Sequence, residues 1–213
     1  MKLISLLEKL EYTCLQGSTD QEVKNVIYDS RKVEEGSLFI CIRGAVVDGH
    51  KFVPDVVAKG AKVLIVEEAV EAPEDVTVIL VKDTRYAMAF ISAAYFGYPA
   101  EKLKTIGITG TKGKTTTTYM VKSILENAGY KVGLIGTIEA IIGEEVIPAA
   151  NTTPESYTIH QYFAKMVEAG CDSVVMEVSS QGLMLHRTAG IPFEIGIFTN
   201  LGKDHIGPNE HKD

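Results

Sequence analysis

The run from residue 107 to residue 118 reads GITGTKGKTTTT and carries the groups that handle a phosphate chain. Gly110 and Gly113 lack a Cβ, so backbone N–H groups beside them can turn toward phosphate oxygens. Lys114 places an ammonium within reach of β- and γ-phosphates. The Thr115 hydroxyl is an oxygen ligand of the kind Mg2+ takes. Thr111, Lys112 and Thr116 lie in the same run. The general phosphate-loop pattern has a glycine five residues before Gly113, where this chain has Ile108. A Gly/Thr-rich connection with an exposed lysine is the plain alternative. The strand-like run before the loop and the helical pattern after it favour phosphate, because a helix N-terminus adds partial positive charge there.

Further candidates stand at the ends of apolar runs. Glu177 lies in the run 174–178, where a carboxylate is costly unless it is paired or bound to a cation. With Mg2+ implied by the loop, a metal role is favoured over a salt bridge at a sheet edge. His205 follows another apolar run, and a lone histidine there is either a site residue or a capped loop residue. Asn200 and Asp204 beside it are turn formers. Asn151, Thr152 and Thr153 precede Pro154 and a helical pattern, so Thr153 reads as an N-cap and an anion could sit at that helix start. Ser179, Ser180 and Arg187 flank a short segment after Glu177. Arg187 is either a bidentate clamp for a carboxylate or phosphate or a solvated cation. Asp29-Ser30-Arg31 and residues 44–52 are loops after strands, and periodicity does not separate a ligand site from ordinary turns there.

Alternating strands and helices must position these groups. Apolar spacing at residues 3, 6, 7 and 10 predicts an N-terminal amphipathic helix. Strands are expected at 23–27, 38–42, 63–66 and 76–81, with helices at 51–59 and 84–96. Gly97-Tyr98-Pro99 breaks that pattern, and a domain boundary is placed there, giving residues 1–99 and 100–213. In the second part a strand over 103–108 feeds the loop, and a helix runs from Lys114 to Ala128, ended by Gly129. A strand at 132–135 and a β-excursion over 138–147 follow, then a helix to about Ala169. The near-continuous apolar runs 173–178 and 195–199 are expected to be strands covered on both faces. The fold class is α/β: a small N-terminal α/β domain, then a mostly parallel, doubly wound domain.

The chain has 213 residues, enough for one large or two modest domains, and 23% of them are charged. A net charge of -7 argues against nucleic acid as the main partner. The cysteines Cys14, Cys41 and Cys171 form no Cys-x-x-Cys pair, two lie in apolar runs, and their pattern fits a reducing cytoplasm. Glu8 and Lys9 make the N-terminal apolar stretch too short and too charged for a signal peptide or membrane span.

The motifs taken in order resemble the Mur ligases, the ATP-dependent amide-forming enzymes of peptidoglycan synthesis. They are Asp29-Ser30-Arg31, Asp48-Gly49-His50, the run from Thr109 to Thr116, Gly136-Thr137, Asn151-Thr152-Thr153-Pro154, Glu177 to Ser180, His186-Arg187, Thr199-Asn200 and Asp204-His205. The branch most like this chain adds the third residue of the stem peptide, and the absent first loop glycine is normal in the family. The resemblance implies ATP on Gly110 to Thr116 and Mg2+ on Thr115, Glu177 and His205. It implies Ser30 at the uridine end of UDP-N-acetylmuramoyl-dipeptide. Asn151, Thr152, Thr153, Ser179 and Arg187 would hold the muramyl-dipeptide. Lys114, Glu177 and His205 would then be the catalytic set. The residues 1–99 would be the UDP-sugar domain and 100–213 the first part of the ATP-binding domain. The implied partners are the UDP-muramyl-dipeptide and an amino acid, in a monomeric cytoplasmic enzyme without nucleic-acid or membrane partners.

Two departures stand out. Leu185 replaces a glutamine frequent in the family two residues before the arginine, and the segment after His205 differs, with His211 as the candidate counterpart of a second histidine. The resemblance further implies that the chain, ending at Asp213, is a fragment without the amino-acid-binding domain and does not complete the amide bond. The rival readings are another Mur-type ligase such as the one adding D-Ala-D-Ala, a folylpolyglutamate synthase, or a non-catalytic nucleotide-binding module.

Overall fold

A computed structural model describes residues 1–44 and 47–204. His205 and His211 therefore lie outside the described residues, as do Ala45 and Val46 of the loop after the second expected strand. The chain divides into two compact units, Met1–Tyr95 and Phe96–Asp213.

The first unit is a five-stranded sheet in the order β1-β5-β4-β3-β2. Its strands are β1 (Thr13–Gln16), β2 (Asn25–Ile27), β3 (Ser37–Ile40), β4 (Val63–Val66) and β5 (Thr77–Leu80). β2 to β5 pair in parallel and β1 closes the edge antiparallel to β5. The residues of β3 and β4 are buried along their whole length, as apolar strands covered on both faces must be. α2 (Val53–Ala58) packs Val53 and Val56 against Phe39, Leu64 and Val78. α1 (Leu3–Leu6) and α3 (Thr84–Tyr95) complete the unit. α1 is shorter than the apolar spacing predicts: Leu3, Leu6 and Leu7 are buried, while Glu8 and Lys9 are exposed and end the pattern. β1 leaves no periodic signal, because its residues are mostly exposed and show no alternation.

The second unit carries a six-stranded sheet in the order β11-β6-β10-β7-β8-β9. Its strands are β6 (Lys104–Thr109), β7 (Val132–Ile135), β8 (Glu139–Ile142), β9 (Glu145–Pro148), β10 (Ser173–Glu177) and β11 (Ile195–Phe198). β11, β6, β10 and β7 are parallel, and β8 and β9 form an antiparallel hairpin beyond them. α4 (Lys114–Asn127) covers one face, setting Val121 and Leu125 on Ile106, Ile108, Val132 and Val175. α5 (Ser156–Glu168) covers the other, setting Ile159, Phe163 and Met166 on Val174 and Met176. Helices on both faces make the unit doubly wound. The parallel register pairs Glu177 with Ile108 and Phe198 with Thr109, so β6, β10 and β11 stop at one edge, as does β7 at Ile135 opposite Met176. Open α/β sheets bind ligands at that carboxyl edge.

Two expectations fail here. β11 is an edge strand, with Ile195 and Phe198 more than half exposed, because nothing among the described residues pairs with its outer side. Thr153 is not an N-cap. α5 begins at Ser156 behind Glu155, and the Thr153 side chain is taken up by the end of β10 instead.

Candidate active site

The chain leaves β6 at Thr109 and turns through Gly110 (φ 131°) and Gly113 (φ 83°) before α4 begins at Lys114. Both glycines take backbone conformations that side-chain-bearing residues rarely adopt. They differ in what surrounds them. A Cβ on Gly110 would stand 2.2 Å from Thr199 Oγ1 and 2.9 Å from the Asn200 backbone, whereas a Cβ on Gly113 would meet nothing within 4 Å. Gly110 therefore admits the segment after β11, and Gly113 borders open space. Gly113 is also the N-cap of α4, and among the described residues no side chain caps that helix. The first-turn N–H groups of a helix have no acceptor inside it, so this terminus presents uncapped donors toward open space. Lys114 Nζ donates to the loop's own carbonyls, Gly110 O at 2.7 Å and Thr111 O at 3.2 Å.

The Thr115 hydroxyl donates to Glu177 Oε2 at 3.0 Å. Glu177 ends β10, is 1% exposed, and also accepts from the Thr137 N–H at 2.8 Å and the Thr137 hydroxyl at 3.0 Å. Three donors thus satisfy a carboxylate that burial alone would penalise. Gly136 makes room for it, since a Cβ there would lie 2.6 Å from Glu177 Oε1. The fit to Mg2+ can be tested on these oxygens. Adjacent ligands of an octahedral ion with metal–oxygen distances of about 2.1 Å are about 3.0 Å apart. That matches the Thr115 Oγ1 to Glu177 Oε2 separation of 3.0 Å, so the two can share one ion by exchanging their hydrogen bond for coordination.

The Asn-Thr-Thr segment folds over the same edge. Thr152 Oγ1 meets Thr137 Oγ1 at 3.0 Å, and the buried Thr153 hydroxyl donates to Glu177 O while accepting from the Ser179 N–H. Asn151 is exposed. Ser179 caps α6 (Ser180–Met184) by accepting from the Gly182 N–H at 3.0 Å. His186 takes a left-handed conformation (φ 55°) after that helix, and Arg187 turns back to donate to Thr153 O and Glu155 Oε1. Arg187 is thus neither solvated nor free: its side chain is 13% exposed and pairs with Glu155. Thr116 is exposed on α4. In the other unit, Ser30 opens the turn after β2, between Asp29 and Arg31. The Arg31 guanidinium holds the Asp29 carboxyl down at about 2.

Thr115, Glu177, Thr152, Thr153, Ser179 and Arg187 thus come together at one edge with the loop, Ser30 belongs to the other unit, and His205 falls outside the described residues. Gly136-Thr137 and Thr199-Asn200 stand among the motifs, but neither Thr137 nor Asn200 is expected to bind a ligand or take part in catalysis. Thr137 could have been found from its place two residues past the end of β7, at the ligand edge of the sheet.

Two family models match the chain: the Mur ligase family catalytic domain over residues 22–96 and the Mur ligase middle domain over residues 108–213. A UDP-N-acetylmuramoyl-L-alanyl-D-glutamate–2,6-diaminopimelate ligase of Clostridium perfringens is 54% identical, over 97% of this chain and 43% of that protein. One of the same name from Clostridium tetani is 50% identical over the same shares. A solved structure of a ligase of that name is 22% identical, covers 98% of this chain and 42% of its own, and superposes with a TM-score of 0.77. The chain spans less than half the length of these relatives. With both models matched in order and relatives at this identity, the chain belongs to the Mur ligase family.

Proposed function

We propose that this chain supplies the nucleotide site and the UDP-sugar domain of a ligase joining a diamino acid to UDP-N-acetylmuramoyl-L-alanyl-D-glutamate. The observation that carries the reading is the Thr115–Glu177 contact, which joins the start of the phosphate-loop helix to the buried end of β10 at magnesium-ligand spacing. The names of the relatives at 50–54% identity supply the substrate class and favour 2,6-diaminopimelate as the added amino acid.

In this reading Gly110 to Thr116 hold ATP. The uncapped amides of α4 take phosphate oxygens, and Lys114 leaves its two carbonyl acceptors for the β- and γ-phosphates. Thr115 and Glu177, with His205, would hold Mg2+, which when bound neutralises phosphate charge during transfer. Thr137 keeps the Glu177 carboxylate in place for that task. The terminal D-glutamate carboxylate attacks the γ-phosphorus, the β–γ bridging bond breaks, and ADP leaves an acyl phosphate. The amine of the diamino acid then attacks the acyl carbon, phosphate departs, and the nitrogen loses a proton. Lys114 stabilises the charge that builds on the transferring group. Asn151, Thr152, Thr153, Ser179 and Arg187 hold the muramyl-dipeptide, with Arg187 kept rigid by Glu155. Ser30 contacts the uridine end from the first unit, and the setting is the cytoplasm. Among the described residues no helix is long and apolar enough to cross a membrane.

Calorimetry on this chain tests the reading with ATP, ADP and the UDP-muramyl-dipeptide, for wild type and Lys114→Ala. ATP binding that depends on Lys114, beside dipeptide binding that does not, is expected. ATP binding unaffected by Lys114→Ala would overturn it.

A further inference from the structure

The segment after β11 grips the phosphate loop through a cluster of hydrogen bonds. Asn200 Oδ1 accepts from the Lys112 N–H at 3.0 Å, and Asn200 Nδ2 donates to Lys112 O at 2.9 Å. One side-chain amide thus pairs with both backbone groups of one loop residue, as a neighbouring strand would. The Thr199 hydroxyl adds a bond to Lys112 O at 2.7 Å. The main chain extends the β11–β6 ladder past the strand ends: Thr199 N–H donates to Thr109 O, and Thr111 N–H donates to Asn200 O at 3.0 Å. Gly202 N–H closes on Thr111 Oγ1 at 2.8 Å. This close approach is the one a Cβ on Gly110 would block.

We infer that Asn200 is a positioning residue for nucleotide binding, clasping the first half of the loop so that only its second half meets phosphate. The inference rests on the nucleotide reading above. With the Thr111 and Lys112 amides committed to Asn200, the helix-start donors of Gly113, Lys114, Thr115 and Thr116 remain for an anion. This shifts the phosphate contacts of the ATP-binding run to its four-residue helix start, with Thr111 and Lys112 as the frame. It also ties that frame to the segment after β11, which is described as far as Asp204.

The test measures binding of ADP and of adenosine by calorimetry to wild type and Asn200→Ala, each checked for folding by circular dichroism. Loss of the clasp is expected to weaken ADP about tenfold, in line with two lost hydrogen bonds, while adenosine affinity stays put. A residue that served only stability would lower the melting temperature and leave the ADP-to-adenosine ratio unchanged, and that result overturns the proposal. Amide NMR of wild type gives a second reading that needs no variant. On adding ADP, the amides of Gly113, Lys114 and Thr115 should shift strongly, and those of Thr111 and Lys112 should not. Large shifts at Lys112 with small ones at Lys114 would refute the clasp. Wild type that binds neither nucleoside nor ADP would remove the nucleotide reading and the clasp together. Normal ADP binding with an unchanged ratio in Asn200→Ala would remove the clasp alone.

Discussion

His160 sits on the inner face of α5, 1% exposed, and neither ring nitrogen has a hydrogen-bond partner among the described residues. Its ring meets Phe163 edge-on at 6.1 Å. Burial pushes the imidazole down to about 4, against an ordinary value near 6.5. The unfolded chain therefore takes up a proton near pH 6.5, and the folded unit resists it until about pH 4. The stability from the neutral ring is whole above pH 6.5 and is lost as pH falls toward 4. At about 1.4 kcal/mol per pKa unit, that shift corresponds to roughly 3 kcal/mol in all and about 2 kcal/mol at pH 5. His160→Phe keeps ring volume and removes both unpaired nitrogens. Urea unfolding from pH 7.5 to 4.5, followed by hydrogen exchange at the amides of β10, measures the difference between the two proteins. Other titrating groups cancel in that difference. The gap should widen in favour of the phenylalanine variant as pH falls. Parallel curves would show that His160 protonates without cost and would refute the burial argument. The consequence reaches the site, because α5 supports the strand that carries Glu177 through Ile159, Phe163 and Met166.

Three further outcomes follow from the same geometry. Glu177→Gln should abolish the part of the ADP affinity that depends on Mg2+ and leave the metal-free affinity within about twofold, because the proposed role of the lost group is to ligate the metal and not to contact phosphate; titrations with and without Mg2+ decide it. Gly110→Ala should cost about 2 kcal/mol or more, and Gly113→Ala only about 1 kcal/mol, in thermal unfolding, since both strain the backbone but only the first collides with Thr199 and Asn200; equal losses would contradict that distinction. Cys14 is exposed, whereas Cys41 and Cys171 are buried and burial pushes the Cys41 thiol up to about 12. One thiol per native chain should react with an aromatic disulfide reagent and three after unfolding, with fast reaction of Cys41 in the native protein as the refuting result.

The sequence is most legible where the information is local. The strand β7 falls where its apolar run lies, and the Gly/Lys/Thr loop opens α4 at Lys114, because spacing along one segment sets both. Thr153 departs from its expected cap role for the opposite reason. A threonine before a proline has the local form of a cap, yet its hydroxyl bonds Glu177 and Ser179, 24 and 26 residues away. The same holds for Asn200, a turn former by type, whose partner Lys112 lies 88 residues earlier. The exposure of β11 was hidden because IGIF reads as a core strand, and only the strand order puts it at the edge. Side chains that serve the site through distant partners leave no periodic trace.

The absent glycine at position 108 has a physical reason in this fold. Ile108 is still within β6, 0% exposed, and its register partner is Glu177. Its carbonyl accepts from the Val178 N–H at 2.8 Å, so β6 stays paired at this point with the strand that carries the metal-ligand candidate. The side chain fills the layer under α4 with Ile106, Val132 and Val175. A glycine there would weaken the strand and empty that layer. The turn begins two residues later, at Gly110, where a left-handed backbone and the close pass of Thr199 and Asn200 demand it. The shortened glycine pattern is therefore what results when a phosphate loop is framed on one side by a strand extended through its neighbour β10 and on the other by the clasp of Asn200.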